Sequence, residues 1–323
     1  MNAKVSTTNK SEIINQFKDK AIWVVLLLLV IGFTLANPRF LSSNNLFTIA
    51  RQVSMYGIAS IGMTFVILIA GIDLSTGSII TIVNVVCAYC MVNLGLSIPA
   101  AIILSMLLSV GIGFLNGALV SIIGIPAIIA TFATQIIFKG AAYLISGGVP
   151  IYGFDERFKV IGQGYIKMVP VPVIIMVVCF AVGSFILNKT YFGRYFYAVG
   201  GNEEASELSG IKVGRTKFLI YTLAGFFAGL AGIVMLSRTN SAQPTAGLGY
   251  EFDVITCVVL GGVSITGGFG KMSGVVAGVL IIGVLTNGMV LLNISTYMQL
   301  IVKGLVLIVA VGFDCYQKKN STT

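Results

Sequence analysis

Ten times along this chain the sequence settles into a run of apolar residues long enough, or nearly long enough, to cross a bilayer. A membrane-spanning helix needs about 20 such residues. The runs fall at about residues 21–36, 47–70, 74–93, 99–120, 126–146, 170–187, 218–237, 254–266, 274–292 and 297–313. They are continuous rather than alternating, and in lipid each backbone polar group must bond within its own segment, so the predicted spans are helices. Composition agrees: 57% of the 323 residues are hydrophobic and 10% charged, where soluble domains carry about 25% charged residues. The expected fold is all-α, a polytopic membrane protein of about ten transmembrane helices with broken or re-entrant segments. It forms one transmembrane domain over residues 1–323. The first run follows a polar, basic tail that lacks a small-residue cleavage site, and is expected to be retained as a span.

The formal net charge is +9. In a soluble protein that would point to nucleic acid; here it reads as membrane topology. Ten spans put the tail 1–20, the polar loop 188–217 and the tail 314–323 on one side. That side, with Lys271, holds twelve Lys or Arg, against six on the other: Arg39, Arg51, Arg157, Lys159, Lys167 and Arg238. Basic residues favour the cytoplasmic side, so both termini and the 188–217 loop are expected there. Lys139 and Lys303 fall within spans. Part of the first tail, SEIINQFKDKAIW, is expected to lie as an amphipathic helix on the membrane surface.

The polar run 188–217 is the longest between the tails. Within it NEEASELSG reads as one short helix. Asn202 is a good N-cap, and Glu203 and Glu204 follow in the first turn, where the helix dipole favours negative charge. Gly210 ends the helix, and Gly200 and Gly201 mark a bend before it. Such a helix is either a solvated connector or a docking element for a cytosolic partner.

Asp73, in GIDLS, is flanked by long apolar runs. A charge at the centre of a span costs about 2.5–3.5 kcal/mol on insertion scales. Asp73 is therefore expected to face the protein interior or an aqueous path, or to help start the third span with Ser75 and Thr76. Lys303 is its expected ion-pair partner. Asn84, Asn116, Gln135 and Asn287 are uncharged polar residues within spans. Their ordinary role is helix-to-helix hydrogen bonding; together they suit a path for a polyhydroxylated solute, because amides both donate and accept.

Gly113/Gly117, Gly225/Gly229 and Gly274/Gly278 form GxxxG pairs that allow close helix contact. A span, a Gly-rich break and a small-residue span occur at 53–86 and again at 254–287, a pattern that often marks a transport path. GFGKMS fails as a phosphate loop, since Met272 follows Lys271 and position 265 is Ile. The chain has no histidine, which removes the usual proton shuttle. Four of its five cysteines, Cys87, Cys90, Cys179 and Cys257, lie in apolar segments as packing residues, and Cys315 follows the last. No metal set, nucleophile with base, or nucleotide site is evident, so no metal and no cofactor is expected, and the chain is not expected to be an enzyme by itself.

GIDLSTGS, FGRYFYAVGGNEEASELSGIKV, SAQPTAGLGYEFD and VVLGGVSITGGFGK, taken in order, resemble the membrane permease of ribose-type ATP-binding-cassette (ABC) importers. That group belongs to the branched-chain amino acid and sugar permease superfamily. The resemblance runs from NNLF at 44–47 to IVKG near Lys303. It implies a bacterial plasma-membrane permease that moves a ribose-like monosaccharide by alternating access, with a second permease copy taken as a homodimer, a separate ABC ATPase, and an extracytoplasmic sugar-binding protein. It also implies that Asn202 to Gly210 is the coupling helix, with Glu203, Glu204 and Glu207 toward the ATPase. An ion-coupled secondary transporter is the alternative, and would need a coupling carboxylate such as Asp73. A membrane-embedded enzyme or scaffold is a third reading, disfavoured by the missing catalytic groups.

Overall fold

The computed structural model describes residues 22–321. The expected surface helix in SEIINQFKDKAIW lies almost wholly outside the described residues, as do the lysines of the first tail. The helices in chain order are α1 (Ile22–Ala36), α2 (Ser43–Leu68), α3 (Thr76–Val92), α4 (Ile98–Ser121), α5 (Ala127–Ser146), α6 (Val160–Gln163), α7 (Val171–Lys189), α8 (Tyr191–Gly201), α9 (Glu203–Leu208), α10 (Val213–Thr239), α11 (Tyr250–Leu260), α12 (Met272–Leu291) and α13 (Thr296–Ser321). A two-residue antiparallel pair, β1 (Tyr165–Ile166) with β2 (Val169–Pro170), sits in the loop before α7.

The ten apolar runs become α1 to α5, α7 and α10 to α13. Seven of these are long and apolar enough to cross a membrane; α1 and α3 are shorter. The eighth departs most from expectation. It spans Tyr250–Leu260 rather than 254–266, and Gly261 ends it. At 1.5 Å per residue α11 covers only about half of a ~30 Å hydrocarbon core.

Burial sorts the helices into a core and a shell. In α2 every residue from Val53 to Leu68 is buried, and α10 is buried from Ala231 to Ser237. A helix apolar on all sides belongs in such a core. Around them α4, α5, α7 and α13 expose Leu104, Leu107, Ile136, Val177, Ile308 and Val309, which suits lipid or another chain.

Glycines set the closest approaches. A Cβ at Gly113 would lie 2.5 Å from the Tyr221 carbonyl, and one at Gly225 would lie 2.5 Å from the Ser109 carbonyl, so α4 and α10 meet backbone to backbone. The Gly274/Gly278 pair plays the same part between α12 and α11, against Gly261 and Cys257. All five cysteines are free, and Cys87, Cys90, Cys179 and Cys257 are buried.

Successive segments run antiparallel. Asn37, just after α1, donates to the Leu291 carbonyl at the end of α12, while Asp314 of α13 accepts from Ser264 and Ile265 in the break after α11. The start of α1 and the end of α13 therefore share the end of the bundle that carries α9.

Candidate functional site

At the α9 end the chain builds a short projecting helix. The Asn202 side chain accepts from the Ala205 amide at 2.9 Å, the expected N-cap. At the other end Gly210 has φ +84°. Its amide bonds the Glu207 carbonyl at 2.9 Å and the Ile211 amide bonds the Ser206 carbonyl at 3.0 Å. This is the paired closure of a helix that stops on a left-handed glycine. Lys217 of α10 bonds Glu203 at 2.7 Å, so one of the three glutamates is held within the chain. Glu204 and Glu207 are exposed, and Leu208 is 90% exposed. FGRYFYAVGG, before the bend, is itself the amphipathic helix α8.

The two helix breaks echoed in the sequence meet beside α8. The Gly268 amide bonds the Leu68 carbonyl at 2.9 Å, joining the break after α11 to the end of α2. Gly200 packs on that bond: a Cβ there would lie 1.8 Å from the Leu68 oxygen and 2.5 Å from the Gly268 nitrogen. Tyr197 of α8 adds a bond to the Gly270 carbonyl at 2.8 Å. Burial raises its pKa, which keeps the phenol a donor. So α8, α2 and the α11–α12 break are fastened at one point next to α9.

In the interior, Asp73 does not meet Lys303. Its Oδ1 accepts from the Ser75 amide at 2.9 Å and the Ser75 hydroxyl at 2.6 Å. Ser75 accepts from the Asn116 amide at 2.8 Å, and Asn116 accepts from Thr134 at 2.8 Å. This chain of bonds ties the start of α3 to α4 and α5. The expected Asp73–Lys303 pair is thus replaced: Lys303 of α13 bonds Asp253 of α11 at 2.6 Å. The Tyr56 hydroxyl donates to the same carboxylate at 3.2 Å, and Tyr56 stacks on Tyr250 with ring centroids 4.7 Å apart.

Tyr56 lies halfway along α2, so its partner Tyr250 starts α11 near mid-depth. Residues 240–249 therefore descend from the far end of α10, where Ala242 bridges to Ile151, into the middle of the bundle without forming a helix. Backbone of this kind at membrane depth occurs only where protein buries it or where it lines a watery path. Here both hold. Gly247 donates to Thr81 of α3 at 2.9 Å. Pro244, Gly247 and Leu248 line a cavity of about 20 Å³ with Gly77, Ser78, Thr81, Gln135 and Lys139. Gln135 donates to Glu251 at 2.6 Å.

The expected polar residues thus fall into four places. Asp73 and Asn116 share the interior network, and Gln135 lines the small cavity. Asn287 exchanges two 3.0 Å bonds with Asn45 at the end opposite α9, beside a cavity of about 400 Å³ lined also by Asn37, Arg39, Thr48 and Asn293. Asn84 is fully buried, and neither atom of its amide has a hydrogen-bond partner among the described residues. Glu251 and Asp253 are not singled out by the sequence, in which 238–253 is a polar connection between two apolar runs. Their signal was YEFD directly before an apolar run, where acids suit the first turn of a helix.

The family model described as "Branched-chain amino acid transport system / permease component" matches residues 45–311. The chain belongs to this permease family. It is 44% identical over 92% of its length, and 93% of the relative's, to a protein named ribose import permease protein RbsC of Haemophilus influenzae. The protein of the same name from Bacillus subtilis is 45% identical, with 92% of each chain covered. The L-arabinose transport system permease protein AraH of Escherichia coli is 39% identical, with 99% of each covered. No solved structure matches the chain. The permease is a multi-pass membrane protein and a transport subunit.

Proposed function

We propose that this permease is the translocating subunit of an ABC importer for a ribose-like monosaccharide, driven by a separate ATPase. Two of the relatives are named for ribose and L-arabinose, both aldopentoses. The reading places the α9 end in the cytoplasm, in line with twelve basic residues against six. The opposite end then receives a sugar-binding protein. A second copy of the chain completes the path on the side where Gln135 and Lys139 reach the surface.

The observation that carries this reading is the joint beneath α9. A helix that only connects two spans needs no rigid tie to the interior. Here the neighbouring Gly200 is wedged on the bond between Leu68 and Gly268, so a push on Asn202–Gly210 moves the ends of α2, α11 and α12 together. Glu204 and Glu207 are the exposed charges offered to the ATPase, with Glu203 bracing the helix on Lys217. ATP binding selects one state of the ATPase pair, and differential affinity for the two states shifts the permease between inward and outward access. In the path we place Gln135, with Asp73 and Asn116 holding its walls, Asn84 in the wall of α3, and Asn287 at the entry end.

The test is uptake of labelled ribose by vesicles. Vesicles holding this permease, its ATPase, its binding protein and internal or external ATP on the ATPase side should accumulate ribose. Accumulation by the permease alone, driven by an ion gradient, would establish the secondary-transporter alternative instead.

A further inference from the structure

We infer that Glu251 and Gln135 form the mid-membrane gate of this permease, and that the Glu251 carboxylate accepts hydroxyl groups of the monosaccharide when the gate opens. The inference rests on the reading of the permease as a sugar path and names the groups within it.

Glu251 is an expensive residue to keep where it is. It sits in the first turn of the half-span α11 and is only 3% exposed, near mid-depth. A buried carboxylate demands partners for both oxygens. One oxygen has Gln135 at 2.6 Å. The other, Oε2, is buried with no hydrogen-bond partner among the described residues. Packing alone does not account for it, since an apolar residue would fill the same space without that cost.

The surroundings are shaped to receive a polar molecule. A Cβ at Gly77 would lie 2.2 Å from Oε2 and 2.4 Å from the Gly247 carbonyl, so only glycine lets α3 and the descending segment come this close to the carboxylate. Gly77, Gly247 and Gln135 are also three of the residues lining the small cavity. Glu251 therefore stands directly behind its wall. Ser78, Thr81 and Lys139 line the same cavity and add hydroxyl and ammonium groups. At about 20 Å³ the cavity has room for roughly one water and none for a sugar, so this is a closed state. Among the described residues, the only side-chain bond between α5 and α11 in this place is the one from Gln135 to Glu251. Releasing it frees a carboxylate that can take two neighbouring hydroxyls of a sugar, while the Gln135 amide can donate and accept on the other side.

Two measurements test this. In vesicles holding the permease alone, swelling in a ribose gradient reports passive leak. Gln135→Leu and Glu251→Ala should leak ribose, while the wild type stays tight; variants as tight as the wild type would refute the gate. In vesicles with the ATPase and binding protein, Glu251→Gln keeps the shape but loses the charge. Hydrogen bonds to a charged group exceed neutral ones by enough to cost roughly tenfold, so ribose uptake should fall at least about tenfold. Uptake within twofold of wild type, at equal amounts of folded permease, would refute the carboxylate's part. If the wild type takes up no ribose in that second system, the importer reading fails, and the leak measurement still decides the gate.

Discussion

The Lys303 ammonium lies 2.6 Å from the Asp253 carboxylate, linking α13 to α11 across 50 positions of sequence. Both groups are largely buried, with side-chain exposures of 19% and 10%. Most of the apolar surface of α13 faces outward, away from the bundle. The pair is therefore a main tether of the last helix. Among the described residues, Lys303→Met leaves the buried carboxylate with Tyr56 alone, and should lower stability by about 3–5 kcal/mol. Adding Asp253→Asn should restore most of the loss. Thermal unfolding in detergent reads both; equal losses in the single and double variants would show that the charge pairing is not what matters.

Gly200→Ala should impair the permease through the joint rather than through α9 itself. The new methyl would meet the Leu68 carbonyl at 1.8 Å, so the α2–α11 fastening must open. Ribose uptake should fall severely, and protease cleavage in the α8–α9 segment should speed up. Gly201→Ala, where a Cβ meets nothing within 4 Å, is the matched control and should stay close to wild type.

Charge reversal separates the glutamates of α9. Glu204→Lys with Glu207→Lys should reduce recovery of the ATPase on the purified permease several-fold while the permease inserts normally. Glu203→Lys also breaks the 2.7 Å bond to Lys217 and sets two cations together, so it should loosen α9 as well. Hydrogen exchange of residues 203–208 distinguishes the two effects: faster exchange is expected in Glu203→Lys only.

Asp73 is 1% exposed and serves the Ser75 amide and hydroxyl through Oδ1. Asp73→Asn keeps an oxygen in that place and should cost little. Asp73→Leu strands the Ser75 amide and should cost about 1–3 kcal/mol, read as a lower unfolding temperature. If the two variants lose stability equally, Asp73 acts through its charge and not through the bonds it accepts.

Much of this architecture was legible without coordinates. Continuous apolar runs determine helices in lipid, because no other local structure satisfies the backbone there; hence each of the ten runs holds a helix, seven of them long and apolar enough to cross. The capping of α9 is equally local, since Asn202 and Gly210 act on amides and carbonyls within a few positions. The GxxxG pairs announced close contacts, though not with which helix.

What only the tertiary structure decided is which distant groups share a buried volume. Sequence pairs Lys303 with Asp73, since each is a charge in an apolar stretch, but Asp73 is satisfied two residues away by Ser75, and Lys303 finds Asp253. Glu251 and Asp253 looked like loop residues because hydropathy averages over a window, and no average reveals that residues 240–249 descend into the bundle. Local chemistry set where helices begin, end and cross the membrane. Partner choice among buried charges depended on how those helices pack, since a charge in a low-dielectric interior is stable only beside whatever group the fold brings to it.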